Sequence, residues 1–309
     1  MQQHETYAGA CRALGMPVLR LGTKGAIRGE ALVLIRRWPF FGDFALIARG
    51  PIWRPGTDIA QARAGALALI SHLRQSCRGV ILTGEPLQGR DPMAESGLLA
   101  LVTGGIQARL PLSPPETLMA RMHGKWRNRL RRAQDGSLRI DSGPLPDTGD
   151  HWLLTQEEAQ ARARGYRRLP ARFTRAWRAA NGARSTRLFV AKIGKTPVAG
   201  MLFLCHGKTA SYHIGWSSDI GRRSHAHNLL LWRVACWFEA RGYTWIDLGT
   251  LDTETTPGLA RFKLGAGAHP VTLGATYMAA PGAGAIAALF QHRSIPNRSG
   301  PAAAPASGS

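Results

Sequence analysis

The chain has 309 residues, enough for two domains or one large one, and its hydrophobic content of 44% suits a protein that buries a substantial core. A net charge of +21, from 40 basic and 19 acidic residues, favours anionic partners: nucleic acid, phosphorylated cofactors or anionic lipid headgroups. No run approaches the roughly 18 apolar residues of a membrane span, the opening MQQHETYAGA lacks the signal-peptide pattern, and four scattered cysteines have neither metal nor redox spacing. Reduced thiols, no metal site and a cytoplasmic location are expected.

In chain order, a helix is predicted near Tyr7–Leu14, then strands over 17–22, 31–38 and 43–50. A long helix over 58–77 leads to strands over 79–84 and 106–112. PETLMARMHGKWRNRLRRAQDG (115–136) follows, with Pro115 and Glu116 suited to a helix start and Gly136 to its end. Two more helices are expected over 150–165 and 170–181. Strands over 185–194, 196–207 and 208–217 form an antiparallel meander, turned at Gly194-Lys195 and Gly207-Lys208. A helix over 224–242 is closed by Gly242. A strand over 243–249, a short helix over 256–265 and a last strand over 269–278 complete the series.

Helix, three strands, long helix, strand and terminal strand thus occur twice, which predicts two sister α/β subdomains with mixed sheets. The divisions expected are 1–112, a basic connecting helix within 113–140, 141–280, and a tail over 281–309. The tail ends in PNRSGPAAAPASGS, a disorder-prone composition.

Six of the 40 basic residues are Lys and the rest Arg; Lys263, in GLARFKLGAG (258–267), is the only Lys after Lys208. Arg is a rigid fork that stays charged, whereas Lys is a compact charge whose pKa moves with burial. On a short helix Lys263 is expected to be accessible, with Phe262 packed inward. In the strand ASYHIGWS (210–217), Gly215 suggests a bulge, and simple alternation puts Tyr212 and Ile214 on one face and His213 and Gly215 on the other. Asp247, at the end of TWIDLG, is a candidate general base, with Asp219, His225, Asp252 and Glu254 as rivals. His123, Arg127 and Arg131 share one face of the central helix at i, i+4 spacing and are candidates for anion contact.

The order of elements resembles the GNAT acyltransferase fold. Doubled, and with KWRNRLRRA (125–133), ARGPIW (48–53), LLLWRVACWFEARGYTWIDLG (229–249) and GLARFKLGAG (258–267) in this order, it resembles the FemAB-like group of GNAT proteins over roughly residues 5 to 280. The resemblance implies two tandem GNAT-like subdomains and transfer of an acyl or aminoacyl group to an amine acceptor. The implied donor is acyl-CoA or, as in some relatives, aminoacyl-tRNA. It implies a catalytic role for Lys263 at the acyl carbonyl, a donor-contacting strand carrying Tyr212 and His213, and phosphate binding by Arg222, Arg223 and His225 at the start of the long helix, joined by Arg127 and Arg131. In one place the chain departs from the GNAT pattern. RRSHAHN (222–228) has no glycine where that pattern puts a Gly-rich turn for the CoA pyrophosphate. A non-catalytic RNA-binding scaffold and a peripheral membrane enzyme drawn to lipid by the basic helix, without stable insertion, are the competing readings.

Overall fold

The computed structural model describes residues 1–22, 29–147, 151–166 and 168–291. The first stretch runs α1 (Glu5–Ala13), β1 (Val18–Gly22), β2 (Gly29–Trp38), β3 (Gly42–Ala48), β4 (Ile52–Trp53), α2 (Ile59–Leu73), β5 (Gly79–Thr83), β6 (Leu99–Val102) and β7 (Ile106–Pro111). The middle holds α3 (Pro115–Arg121), α4 (Gly124–Gln134), β8 (Arg139–Gly143), α5 (Trp152–Arg164) and α6 (Ala171–Asn181). Next come β9 (Thr186–Ile193), β10 (Thr196–His206), β11 (Thr209–Ser217), α7 (Asp219–Arg223) and α8 (Ala226–Glu239). The chain continues with β12 (Trp245–Thr250), α9 (Pro257–Gly265), β13 (His269–Thr272), β14 (Thr276–Ala279) and α10 (Ala283–Gln291).

Local chemistry sets many of these boundaries. Gly194 (φ +58°) and Gly207 (φ +56°) turn the β9–β10–β11 meander in the left-handed region that glycine enters at little cost. α2 opens on a reciprocal cap: the Asp58 carboxylate accepts the Gln61 amide at 2.7 Å, and the Gln61 side chain accepts the Asp58 amide at 3.1 Å.

Two mixed sheets result, with strand orders β1-β2-β3-β5-β14-β6 and β13-β7-β12-β11-β10-β9-β8; β4 pairs with β2 off the first path. Each has an antiparallel meander (β1–β3, β9–β11), then a strand parallel to its third member (β5, β12), then an antiparallel neighbour (β14, β7) and an antiparallel edge (β6, β13). The repeat is therefore tandem in order but crossed in space. β7, read as the closing strand of the first copy, lies in the second sheet, and β14, from the end of the second copy, lies in the first.

The expected strand over 269–278 is accordingly two strands, broken where the chain crosses between sheets. Small residues allow the crossing. A Cβ on Gly104 would fall 2.0 Å from the Leu273 carbonyl oxygen, and one on Gly274 would fall 2.8 Å from that of Gly84. Asp91 fastens the crossed segment. Its carboxylate accepts the Ala275 amide (2.8 Å) and the Tyr277 hydroxyl (3.1 Å), and also the Met93 amide (2.9 Å).

The single helix expected over 115–136 is broken into α3 and α4. Met122 is extended and buried, and the His123 amide donates to the Gly265 carbonyl at 3.0 Å instead of continuing a helix. α4 buries Trp126, Leu130 and Ala133 in the main core, together with Leu230, Val234 and Phe238 of α8. At the other end, residues 283–291 form α10 rather than the start of a tail, with Ala283 and Ala287 buried. The rest of the expected tail, and the expected helix start at Asp150, lie outside the described residues. No described helix is long and apolar enough to cross a membrane.

Because the first sheet needs β14 from the far end of the chain and the second takes β7 from the first copy, the halves should unfold as one unit. Replacing Asp91 with Ala removes three accepted hydrogen bonds, each worth about 1 kcal/mol, and should cost about 2–3 kcal/mol. Urea unfolding followed by tryptophan fluorescence and by far-UV circular dichroism should show one coincident transition at lower urea. Separated transitions would show that the crossing does not couple the halves.

Candidate active site

β11 and β12 pair in parallel only over Thr209–Ser211 with Trp245–Asp247 and then part. Just past the parting, β11 carries a bulge against β10. Leu202 faces Ile214 and Phe203 faces Tyr212, so His213 is the extra residue. The bulge sits at His213 rather than at Gly215, and it overturns the expected alternation. Tyr212 packs in the main core beside Phe203, while Ile214 packs on the other side with Leu153 and Leu202. Tyr212 curls against Gly215, where any Cβ would collide with its hydroxyl.

The wedge between the parting strands holds a small apolar cavity of about 10 Å³. Tyr212, Leu248, Phe262 and Lys263 are among its lining residues. Lys263 is only 5% exposed, so the expectation of an accessible lysine does not hold. Its Nζ donates to the Thr250 carbonyl at 2.7 Å. Burial lowers its pKa from 10.5 to about 8, against the opposing pull of the Asp247 carboxylate, which favours the protonated form. The carbonyl is within reach because β12 loses its register with β7 between Asp247 and Thr250, where Gly249 has φ +77°. α9 is fixed from outside by Trp126. Its indole Nε1 donates to the Phe262 carbonyl at 3.1 Å, and a Cβ on Gly265 would lie 2.9 Å from its ring.

Asp247 has both oxygens engaged. Oδ1 accepts the Gly249 amide at 2.8 Å, and Oδ2 accepts from Arg49 at 3.2 Å. Arg49 also donates to Glu85 (2.5 Å) and Gln107 (2.6 Å), so one guanidinium from the first half binds acceptors in both. Arg49 belongs to the ARGPIW stretch, and nothing local in that stretch pointed to Asp247, 198 residues away. Both residues also line a cavity of about 350 Å³ together with Arg109, His206 and Trp245.

A third cavity, of about 300 Å³, opens at the start of α8. Arg129, Arg222, His225, Asn228 and Phe262 are among the residues lining it, so Phe262 borders both this cavity and that of Lys263. His225 caps α8 in the left-handed region (φ +53°), and burial followed by the charges of Arg129 and Arg132 lowers its pKa. Asn228 is buried, and its Nδ2 has no hydrogen-bond partner among the described residues.

Other candidates lie elsewhere or are already engaged. Arg127 donates to the carbonyls of Met119, Ala120 and Met122, at 3.4, 3.4 and 3.0 Å, and so caps α3; Arg129, not singled out in the sequence, is the α4 side chain facing the third cavity. Arg131 and Arg223 are exposed. Arg222 donates to the Ser217 carbonyl at 2.6 Å and ion-pairs with Asp219. Asp252 is tied into a local turn by Thr255 and the Glu254 amide. His213 is half-buried with Nε2 2.7 Å from the Thr174 hydroxyl, and desolvation pushes its pKa down to about 4. The structure thus gathers Lys263, Tyr212 and Asp247 around the wedge, sets Arg222 and His225 at the α8 terminus, and directs His213 onto α6. No cluster of His, Cys, Asp and Glu suited to a metal occurs among the described residues.

Residues 120–264 match the family model of the acetyltransferase (GNAT) domain. FemX shares the fold over 95% of this chain and 94% of its own, with a TM-score of 0.70 and 14% identity. A C-terminal domain named for lysylphosphatidylglycerol synthetase, from Agrobacterium fabrum, matches over 94% and 91% of the two chains (TM-score 0.58, 16% identity). L-PGS from Bacillus licheniformis matches over 93% and 95% (TM-score 0.54, 12% identity). Comparison with curated proteins finds no match. The domain match makes residues 120–264 a GNAT acetyltransferase domain, and the chain as a whole shares the doubled two-sheet fold of FemX. It is a transferase.

The buried ammonium carries a stability signature. Because its folded pKa of about 8 lies below the ordinary 10.5, the folded state binds fewer protons between those values, so stability rises with pH across that window. The cost of burying charged Lys263 is full below about pH 8 and is relieved by about pH 10.5. Lys263→Met should therefore be more favourable relative to wild type at pH 7 than at pH 10.5, by on the order of 2 kcal/mol. Chemical denaturation at the two pH values measures this, and a pH-independent difference would contradict the burial.

Proposed function

We propose that this chain transfers an aminoacyl group from an activated ester donor to an amine, with Lys263 as the fixed cation facing the acyl carbonyl oxygen. The burial of Lys263 in the wedge between β11 and β12 carries this reading. When the amine attacks, the carbonyl oxygen becomes negative, and a cation already in place stabilises it without reorganisation. The ammonium has three protons and one of them is held by Thr250. Asp247 keeps it protonated as a counter-charge; with both oxygens bonded, it serves in this capacity rather than as the base that deprotonates the amine. The apolar wall of Tyr212, Leu248 and Phe262 excludes water and leaves room for a point charge where a guanidinium fork does not fit.

The turn leading into α8 supports a donor whose phosphates meet side chains rather than the backbone of that turn. The amides of Arg222, Ser224 and His225 already donate to the carbonyls of Ser218, Ile220 and Arg222, and the Gly221 amide donates to the Ser218 hydroxyl. This turn forms no open cradle for a pyrophosphate, which leaves only the first amides of α8 itself, a helix with no side-chain cap. Arg129, Arg222, His225 and the unpartnered Asn228 amide offer cationic and donor groups instead. Together with the net charge of +21 and the fold shared with FemX and lysylphosphatidylglycerol synthetase domains, this favours aminoacyl-tRNA as donor. Acyl-CoA is the second reading, favoured by the GNAT domain match.

Purified protein offered acetyl-CoA, longer acyl-CoAs and charged tRNA with an amine acceptor should give a mass shift on the amine only with the aminoacyl ester. A shift with CoA thioesters alone would move the donor to the second reading. In single-turnover transfer, Lys263→Ala should lose roughly 10²–10³ in rate, and Lys263→Arg should also be poor despite its charge. Near-normal rates in the Ala variant would remove Lys263 from the chemistry. Arg129→Ala with Arg222→Ala should weaken donor binding and flatten its salt dependence by about two counterions. Arg131→Ala should change both little.

A further inference from the structure

The β2–β3 hairpin ends in Arg36-Arg37-Trp38-Pro39-Phe40-Phe41-Gly42-Asp43, and its tip faces water. Phe40 is 105% exposed, Phe41 66% and Trp38 37%, whereas most other described large aromatics are buried or half-buried. The Phe41 amide donates to the Trp38 carbonyl at 3.1 Å, closing a turn in which Phe40 is the third residue with φ +68°. A positive φ at that position ordinarily selects glycine, because a Cβ is strained there. Here a benzyl side chain occupies the strained position and packs against nothing in the fold. The tip is nevertheless anchored at its base, where Trp38 stacks on buried Phe44 with ring centroids 4.5 Å apart.

Cations surround these rings. Arg36 and Arg37 precede them on β2, and Arg78 lies alongside, its amide donating to the Asp43 carbonyl at 2.8 Å. Arg37 pairs with Asp43 at 3.0 Å, whereas Arg36 and Arg78 form no ion pair among the described residues. Exposed aromatics bordered by free guanidinium groups suit a bilayer interface, where rings enter the acyl boundary and cations meet phosphates. A protein partner with an apolar socket would cover the rings and leave those cations unmatched. The basic helix is not available for this task, since Trp126, Leu130 and Ala133 on its apolar face are buried.

We propose that this hairpin tip docks the protein on membranes rich in anionic phospholipid, with Phe40 and Phe41 inserted at the interface and Arg36 and Arg78 on the headgroup phosphates. The overall positive charge draws the protein to such a surface, and the rings hold it there. The inference does not depend on the Lys263 chemistry.

Vesicle co-sedimentation tests it. Wild type should sediment with mixed phosphatidylglycerol and phosphatidylcholine vesicles far more than with phosphatidylcholine alone, and part of that binding should survive salt high enough to screen charge. The double variant Phe40→Ser, Phe41→Ser should lose about tenfold or more in partitioning and all of the salt-resistant part. Its thermal midpoint and its transfer activity on a water-soluble acceptor should be unchanged, since the rings support nothing in the fold. Equal binding by the double variant, binding abolished entirely by salt, or wild type that ignores both vesicle types would overturn the proposal. So would a double variant that changes only the oligomeric state.

Discussion

An ammonium group taken out of water needs an acceptor and a counter-charge, and around Lys263 both come from β12, which is held in turn by a residue from the far end of the chain. Thr250 supplies the carbonyl, from a stretch of β12 that has left its ladder. Asp247 supplies the charge and is itself held by Arg49 of the first half. α9, which carries the lysine, is pinned by the Trp126 indole and by the His123 amide at its C-terminal end. A buried cation is destabilising, and the surrounding fold tolerates it by supplying these partners. Much of the second half is arranged as the cost of that one residue requires.

The duplicated architecture explains why only one half has this arrangement. The sheets share a strand plan, yet their helix starts differ. α2, in the place that α8 takes in the second half, begins with Asp58 in a reciprocal cap that fills its first amides and places a carboxylate where an anion would approach. α8 begins with His225, has no side-chain cap, and is flanked by Arg129 and Arg222. The first half instead contributes Arg49 and its partners to the ion-pair network, and β14 and β7 lock the halves together through the exchanged sheets.

Much of this was legible in the sequence, for identifiable reasons. The strong glycine turns at 194 and 207, the apolar run of α8 and the Pro-initiated α9 gave the second half its order, and the first half repeated it. The strand exchange was not legible, because β7 and β14 have ordinary strand composition and only long-range pairing decides which sheet receives them. The break between α3 and α4 was hidden for a similar reason. It depends on a hydrogen bond from His123 to Gly265, 142 residues on. Among the site residues, Lys263 stood out by its chemistry amid arginines, but its burial did not, because α9 alone reads as a surface helix. Arg127 and Arg129 differ by two positions on one basic helix. The choice between capping α3 and facing the α8 cavity rests on the kink at Met122.

The pH profile of single-turnover transfer, measured from about pH 6 to 10 with a donor that supports reaction, tests the role of Lys263 most directly. A fixed ammonium with a pKa near 8 predicts a descending limb as pH rises through that value. In Lys263→Arg that limb should be absent from whatever rate survives, since the guanidinium stays charged. A wild-type rate that climbs through pH 8 to a plateau would contradict it, because the neutral amine of Lys263 would then be the active form.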